Sequence, residues 1–465
     1  METTQSWALK EFGGSSFTDP RWRNRLVDMG VHAARHPAGR VTETFIDDAA
    51  RQGAYGLLES ATVAPEQVAE AVFAAGATRC RGFEYVFVPV DGTSLRLVDQ
   101  AAAKDFGSVG SHKNKARGLK VMNAIALSPE GVPLGLTSQQ WWNRPHYRRR
   151  KNRDFLPPEQ KETQHWIDAI RDSREVMVAH APETRCWFQL DREGDAWPTL
   201  VELGKQGQWF TVRSGQNRRV ILPSGHKSKL RTVLANLAVQ DAFTMEVRGS
   251  RSRKGRLGKF TLRSSPVVLD VRDKRDGRRF TMSMNVVRVR ESGTTPRKEK
   301  PIEWTLLTNH SIKTRHDLRV VVFGYSMRWR IEEMHRTWKS GGCRVEETQL
   351  RSTQAVVKWA TILAAVAVRT ERIKQLARET PSRPATDEFS AIEIRAITLL
   401  RFGKAAERHV PKGTVPTIEN LTLWIAQLGG YTGKSSGGPP GSITIGRGLV
   451  AVRAATKTLQ ALGSD

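Results

Sequence analysis

Cysteine is scarce: the 465-residue chain has three, Cys80, Cys186 and Cys343, with no CxxC spacing. That excludes a disulfide-framed fold and a zinc knuckle, and it predicts a reducing compartment. Long apolar runs are missing too. The most apolar window, Trp359 to Val368, reaches about half of the ~20 residues a membrane-spanning helix needs, so it predicts a buried helix. The first residues, METTQSWALKEFGG, lack the basic start and leucine-rich stretch of a secretory leader. Acidic residues are the third shortage. Against 74 Lys and Arg stand 47 Asp and Glu, a formal charge of +27. A compact chain carries such self-repulsion best beside a polyanion. Nucleic acid is therefore the first expected partner, with an anionic membrane surface a weak second. What is present, 39% hydrophobic residues over this length, suffices for two to four domains with real cores.

The pattern along the chain predicts three parts. Residues 1–75 read as helical: Asp19-Pro20 makes a cap and first turn before the basic RWRNRL, and AARQGAYGLLES and APEQVAEAVFAAG follow with helical spacing. From Phe83 the rhythm changes to short apolar runs. EYVFVPVDGTSLRL, GLKVMNAIALSPEG and VPLGLTSQQWW read as strands, PEQKETQHWIDAIRDSREVM as a helix, RCWFQLD as a strand, WPTLVELGKQG as a helix and QWFTVRS as a strand. Together they predict an α/β fold with helices packed on a mixed sheet. Residues 216–303 interrupt it with short alternating segments (FTMEVRG, KFTLRSS, VVLDVRD and FTMSMNVVRV) among basic turns such as GSRSRKGRLGK and RDKRDGRR, an expected antiparallel β insertion. One long helix is expected from about Leu318 to Lys339, and another in QAVVKWATILAAVAVRTERIKQLA. Residues 371–465 read as helical again around a glycine-rich loop, GKSSGGPPGS, which lacks the spacing of a nucleotide cradle.

Three carboxylates stand out by position. Asp91 and Asp191 are expected to end two strands of the sheet, where α/β active sites gather. Glu332 lies in YSMRWRIEEMHRTWKSGG. At about 100° per residue, Tyr325, Arg328, Glu332 and Lys339 share one narrow face, while Ile331, Met334 and Trp338 form a separate apolar stripe. Acids from separate elements beside Arg and Lys suit phosphate and hard cations: Mg²⁺ takes oxygen ligands, and two ions can serve an in-line displacement at phosphorus. Each acid alone also reads as an ordinary turn residue or ion-pair partner. His335 and Cys343 have no ligand spacing.

The segment Tyr325-x-x-Arg328-x-x-x-Glu332-x-x-x-x-x-x-Lys339 resembles the YREK signature of the insertion-sequence-four transposases, most of all the Tn-five-type members. VDGTSL around Asp91, QWWNRP, LDREGD around Asp191, VRS, EWTLLT, DPRWRNRL and IAQLGGYTGK resemble that group in order and spacing. The resemblance implies an RNase H-like core (residues 76–370) with Asp91, Asp191 and Glu332 as a catalytic triad holding two Mg²⁺, for which Mn²⁺ can substitute. It implies cut-and-paste transposition: cleavage at transposon ends, hairpin formation and strand transfer to target DNA in a dimeric synaptic complex. Tyr325, Arg328 and Lys339 would contact phosphates, as would Arg336 and Arg213, though Arg213 in VRS also reads as a solvated edge-strand arginine. Trp304 would stack on a flipped base, though it reads equally well as a core aromatic. Trp329 reads both ways as well. Arg21, Arg23 and Arg25 would bind end DNA in the N-terminal domain, and the C-terminal helices would hold the homodimer. No nucleotide cofactor and no membrane are expected, and the location implied is bacterial cytoplasm at the nucleoid. The competing readings are a transposase-derived DNA-binding inhibitor without catalysis and a metal-dependent DNA nuclease.

Overall fold

The computed structural model describes residues 4–99, 103–110, 116–144, 156–205, 207–247, 255–272, 277–293, 295–296, 299–433 and 438–463. The chain opens with α1 (Thr4–Phe12), α2 (Pro20–Arg35), α3 (Val41–Thr44), α4 (Asp48–Glu59) and α5 (Pro65–Thr78). Their starts are chemically marked: the Asp19 carboxylate accepts the Arg21 N–H at 2.9 Å, and Asp47 accepts Ala50 N–H at 2.8 Å, each satisfying a first-turn donor. The last of these helices crosses the boundary expected at residues 75–76 and packs on the sheet. Its Gly76 meets Gly135 so closely that a Cβ on Gly135 would lie 2.2 Å from the Gly76 Cα.

The sheet begins with β1 (Tyr85–Arg96), β2 (Gly107–Ser108), β3 (Arg117–Leu127) and β4 (Pro133–Trp142). After α6 (Thr163–His180) come β5 (Arg185–Leu190), α7 (Trp197–Gly204) and β6 (Trp209–Arg213). β4, β3 and β1 pair antiparallel, whereas β1–β5 and β5–β6 are parallel. This mixed order, covered by helices on both faces, is consistent with the expected RNase H-like core.

The basic insertion comprises β7 (Arg219–Ile221), β8 (Lys227–Lys229), α8 (Leu230–Asn236), β9 (Asp241–Val247), β10 (Arg256–Arg272) and β11 (Arg279–Ser292), and β12 (Glu303–Thr308) closes it. It is no separate layer: β12 pairs with β6, β11 with β12 and β10 with β11, all antiparallel, so a single sheet of twelve strands results. Two details differ from expectation. KFTLRSS and VVLDVRD are one strand, because Pro266 falls where β10 has β11 on one side and no strand on the other. Pairing with β9 ends at Leu262 and pairing with β7 starts at Val268, so the missing N–H costs no ladder bond. LRTVLAN is helical, with Leu230, Val233 and Leu234 buried at i, i+3 and i+4. Of the expected basic turns, residues 249–254 and 273–276 lie outside the described residues, as do residues 434–437 of the glycine-rich loop, whereas residues 256–259, expected in the first turn, open β10 and pair with β9.

Among the described residues the α-helices α9 (Arg315–Met327), α10 (Trp329–Lys339), α11 (Thr353–Glu379), α12 (Ala391–Phe402), α13 (Ala406–His409), α14 (Ile418–Leu428) and α15 (Ser442–Ala461) follow. The single helix expected over Leu318–Lys339 is two. Arg328 N–H bonds Tyr325 O at 3.1 Å and Ile331 N–H bonds Arg328 O at 3.2 Å, a one-turn tightening that re-aims the chain. Likewise α11 runs straight through the boundary expected at 370–371. None of the described helices is long and apolar enough to cross a membrane.

Candidate active site

Alternation along the strands decides which side chains meet. On β1, Val86, Val88 and Val90 enter the core beneath α6 and α7, while Phe87 enters the opposite core with α9, α10 and α11. With period two, Asp91 shares the Phe87 face. By the same parity Asn123 on β3 and Asp191 after β5 lie on that face, beside Val121 and Trp187. Asp91 does not end its strand, as the sequence suggested: β1 continues to Arg96 because β3 keeps pairing with it, Asp91 opposite Asn123. The parallel pairing with β5 does stop, at Pro89–Gln189, so Asp91 sits where two parallel strands part. Asp191 directly follows β5, and its Oδ1 accepts the Glu193 N–H at 2.7 Å.

Arg328, in the break between α9 and α10, joins the acids. Its Nη2 donates to Glu332 at 2.6 Å, and its Nη1 lies 3.5 Å from Asp91 and makes no hydrogen bond among the described residues. Burial pushes the Asp91 carboxyl up to about 7, opposed by Arg328 and reinforced by Asp191 and Glu332. Burial works against the Arg328 charge as well, but Asp91, then Tyr325 and Glu332, hold the guanidinium protonated. One arginine thus faces two carboxylates, Asp91 and Glu332, with Asp191 adding its charge at Asp91, and crowded like charge raises proton affinity.

Tyr325, Arg213 and Trp304 form a second group. Tyr325 is buried, hydrogen-bonded to Arg213 and packed edge-on against Trp304, ring centroids 5.2 Å apart. Arg213 also donates to Glu303 O at 3.2 Å. Lys339 lies on the other side, its Nζ 3.4 Å from Thr93 Oγ1, and Arg336 is exposed. Asp91, Thr93, Glu332, Arg336 and Lys339 line an open groove of about 500 Å³. The structure therefore gathers Asp91, Glu332 and Lys339 along one groove, with Arg328 against its two acids, Asp191 in electrostatic range, and Tyr325, hydrogen-bonded to Arg213 and packed on Trp304, beside Arg328. Trp329 is exposed. Arg21, Arg23 and Arg25 are remote on α2. Arg21 is paired with Asp19 and Arg23 is exposed, whereas the Arg25 guanidinium lies over Gly53 of α4.

Sequence reasoning missed Asn123 and Gln139 at the groove and weighed His335 only as a metal ligand. Gln139 donates to Asn123 Oδ1 at 2.8 Å, and the Asn123 amide donates to His335 Nε2 at 2.9 Å. Burial, then Lys339 and Arg328, hold the His335 ring neutral, with its pKa lowered to about 3. Asn123 sits amid an apolar strand, the one signal that could have marked it. Cys343 is buried with its thiol on Leu363 O.

No group of three His, Cys, Asp or Glu side chains is assembled as a metal cage among the described residues. The donor chemistry at the groove nevertheless suits a hard cation: Asp91, Asp191 and Glu332 offer carboxylate oxygens without thiolate, and their excess charge is only partly met by Arg328.

A family described as transposase DNA-binding matches residues 4–63, the span of α1 to α4. The match supports DNA as the partner and a transposase as the kind of protein.

Proposed function

We propose that the chain is a cut-and-paste DNA transposase of the insertion-sequence-four group, working as a dimer on two transposon ends. The observation that carries this reading is the groove itself: Asp91 and Glu332 bridged by one arginine, with Asp191 in range, in a chain whose first helices match a transposase DNA-binding family. Asp91, Asp191 and Glu332 would hold two Mg²⁺ ions, or Mn²⁺. Such ions would activate the attacking oxygen and stabilise the leaving one. Arg328, once relieved of carboxylates by the cations, has a free fork for a phosphate. Lys339, Arg336 and Tyr325 set the strand along the groove, with Arg213 steadying the Tyr325 hydroxyl. Trp304, half-buried edge-on to Tyr325, would stack on a base turned out of the duplex during hairpin formation, a contact worth about 1–3 kcal/mol.

The test is cleavage of duplexes ending in the inverted repeats that flank the gene, with Mg²⁺ or Mn²⁺. Asp91→Ala, Asp191→Ala and Glu332→Ala should each abolish nicking while end binding stays within about threefold, since the basic residues supply most affinity for phosphate. A variant that nicks at a substantial fraction of the parent rate removes that residue from the metal site. Binding without any cleavage by the parent would favour the DNA-binding inhibitor, and cleavage without joining the nuclease.

A further inference from the structure

Glu346 lines the groove beside Asp91 and Glu332, and neither the sequence reading nor the triad accounts for it. Its Oε1 accepts the Arg96 N–H of β1 at 2.8 Å and lies 3.5 Å from Lys339 Nζ, the same ammonium that sits 3.4 Å from Thr93 Oγ1. Thr93 is two residues beyond Asp91 on the same strand and the same face. The lysine is therefore held on the Asp91 strand edge by a carboxylate that is itself anchored to that strand.

The segment presenting Glu346 is built with visible constraint. After α10 the chain turns through Arg344, at φ 47° the only non-glycine in the left-handed region among the described residues. Such a conformation is strained and persists only where its surroundings over-determine it. Here they do. Arg344 pairs with Glu43 of α3 at 2.6 Å and with Glu347 at 3.1 Å, and its carbonyl lies against Gly39, where a Cβ would approach to 2.1 Å. The next residue, Val345, is fully buried. A strained residue followed by a buried one leaves Glu346 a single direction, back onto β1 and Lys339.

We propose that Glu346 is a positioning residue: it holds the Lys339 ammonium in register with Asp91 before DNA arrives and is displaced from it by a phosphate. This rests on the transposase reading for its effect on cleavage, but the ion pair can be tested without cleavage. Glu346→Gln keeps an oxygen for the Arg96 N–H and removes the charge. Glu347→Gln changes net charge equally, keeps an oxygen to accept from Arg344 and so preserves the turn, and does not touch Lys339. Reductive methylation of the full chain, read at Lys339 by mass spectrometry, should run about threefold or more faster in Glu346→Gln than in the parent, with Glu347→Gln unchanged, since a partly exposed ion pair shields its amine only modestly. Binding to a 40-base-pair duplex of arbitrary sequence should gain salt dependence in Glu346→Gln alone, its log–log slope steepening by up to about 0.9, because one more cation is free for phosphate. On end duplexes with Mg²⁺, Glu346→Gln should nick about tenfold more slowly with DNA affinity undiminished, the signature of lost orientation rather than lost binding.

Lys339 labelling equal in Glu346→Gln and the parent overturns the proposal. So does an equal loss of nicking and melting temperature in both variants, which would make the turn merely structural. If the parent cleaves no end DNA with either metal, the functional reading fails while labelling and salt slope still decide whether Glu346 holds Lys339.

Discussion

A neutral imidazole buried among arginines and lysines makes the groove sensitive to acid. His335 has its pKa lowered to about 3, first by burial and then by Lys339 and Arg328, whereas an unfolded histidine titrates near 6.5. Between these values the unfolded chain takes up a proton that the folded chain refuses. Stability is therefore full above about pH 6.5 and falls as pH drops toward 3, by up to about 1.4 kcal/mol per pH unit. His335→Gln, whose side-chain oxygen can still accept from Asn123, should melt lower than the parent at pH 7.5, and the difference should shrink or reverse by pH 5. Parallel melting curves at both pH values would show that His335 is not the titrating group. Legibility at this scale was uneven. Asp91, Arg328, Glu332 and Lys339 were visible because charge on one helix face and at a strand edge is a local pattern. Asn123, Gln139 and Glu346 were not: they meet the groove only through pairing between strands and a turn gripped by residues some 300 positions away, and no local periodicity encodes that.

Among the elements, α5 shows how packing can reverse a propensity. Glycine inside a helix normally costs about 1 kcal/mol relative to alanine. At Gly76, however, a Cβ would lie 2.3 Å from Leu136 O and 3.1 Å from the Gly135 Cα, both backbone atoms of β4. Gly76→Ala should therefore destabilise by about 1–3 kcal/mol through overpacking. Gly56→Ala in α4, where nothing lies within 4 Å of the added carbon, should stabilise by up to about 1 kcal/mol. Urea midpoints moving the same way for both variants would contradict the close approach of α5 and β4. The strands of the core, α6 and most flanking helices were readable from alternation and caps. The break at Arg328 was not, because the sequence there keeps helical spacing while the pull on the guanidinium comes from Asp91, 237 positions earlier. The α8 helix was hidden for another reason: seven residues give too few turns for a period to show against a β background.

For the whole molecule, the excess of positive charge should dominate association with DNA. Each phosphate neutralised makes log K fall by roughly 0.9 per unit of log salt, so end binding should weaken steeply between low and physiological salt. Replacing exposed Arg21 and Arg23 by Ala should flatten that slope. Arg25→Ala, which uncovers Gly53, should instead lower the melting temperature more than the slope. A flat dependence in the parent would point to a partner other than DNA.

The long helix α11 carries a consequence for recombining such chains by hand. Its first half packs in the core shared with α2, α4 and α5, and its second half places Ile373 and Leu376 in the C-terminal core. On its second half, Gln375 donates to Glu333 of α10, and Glu371 accepts from Thr337 of α10 and from Ser442 of α15. A chimera joined at residue 370 would set a seam inside this beam, with hydrogen-bond partners drawn from different parents on either side. A seam at Thr380–Pro381 lets α11 travel whole with the groove it braces, so exchange of the C-terminal helices among relatives should succeed there and fail ten residues earlier.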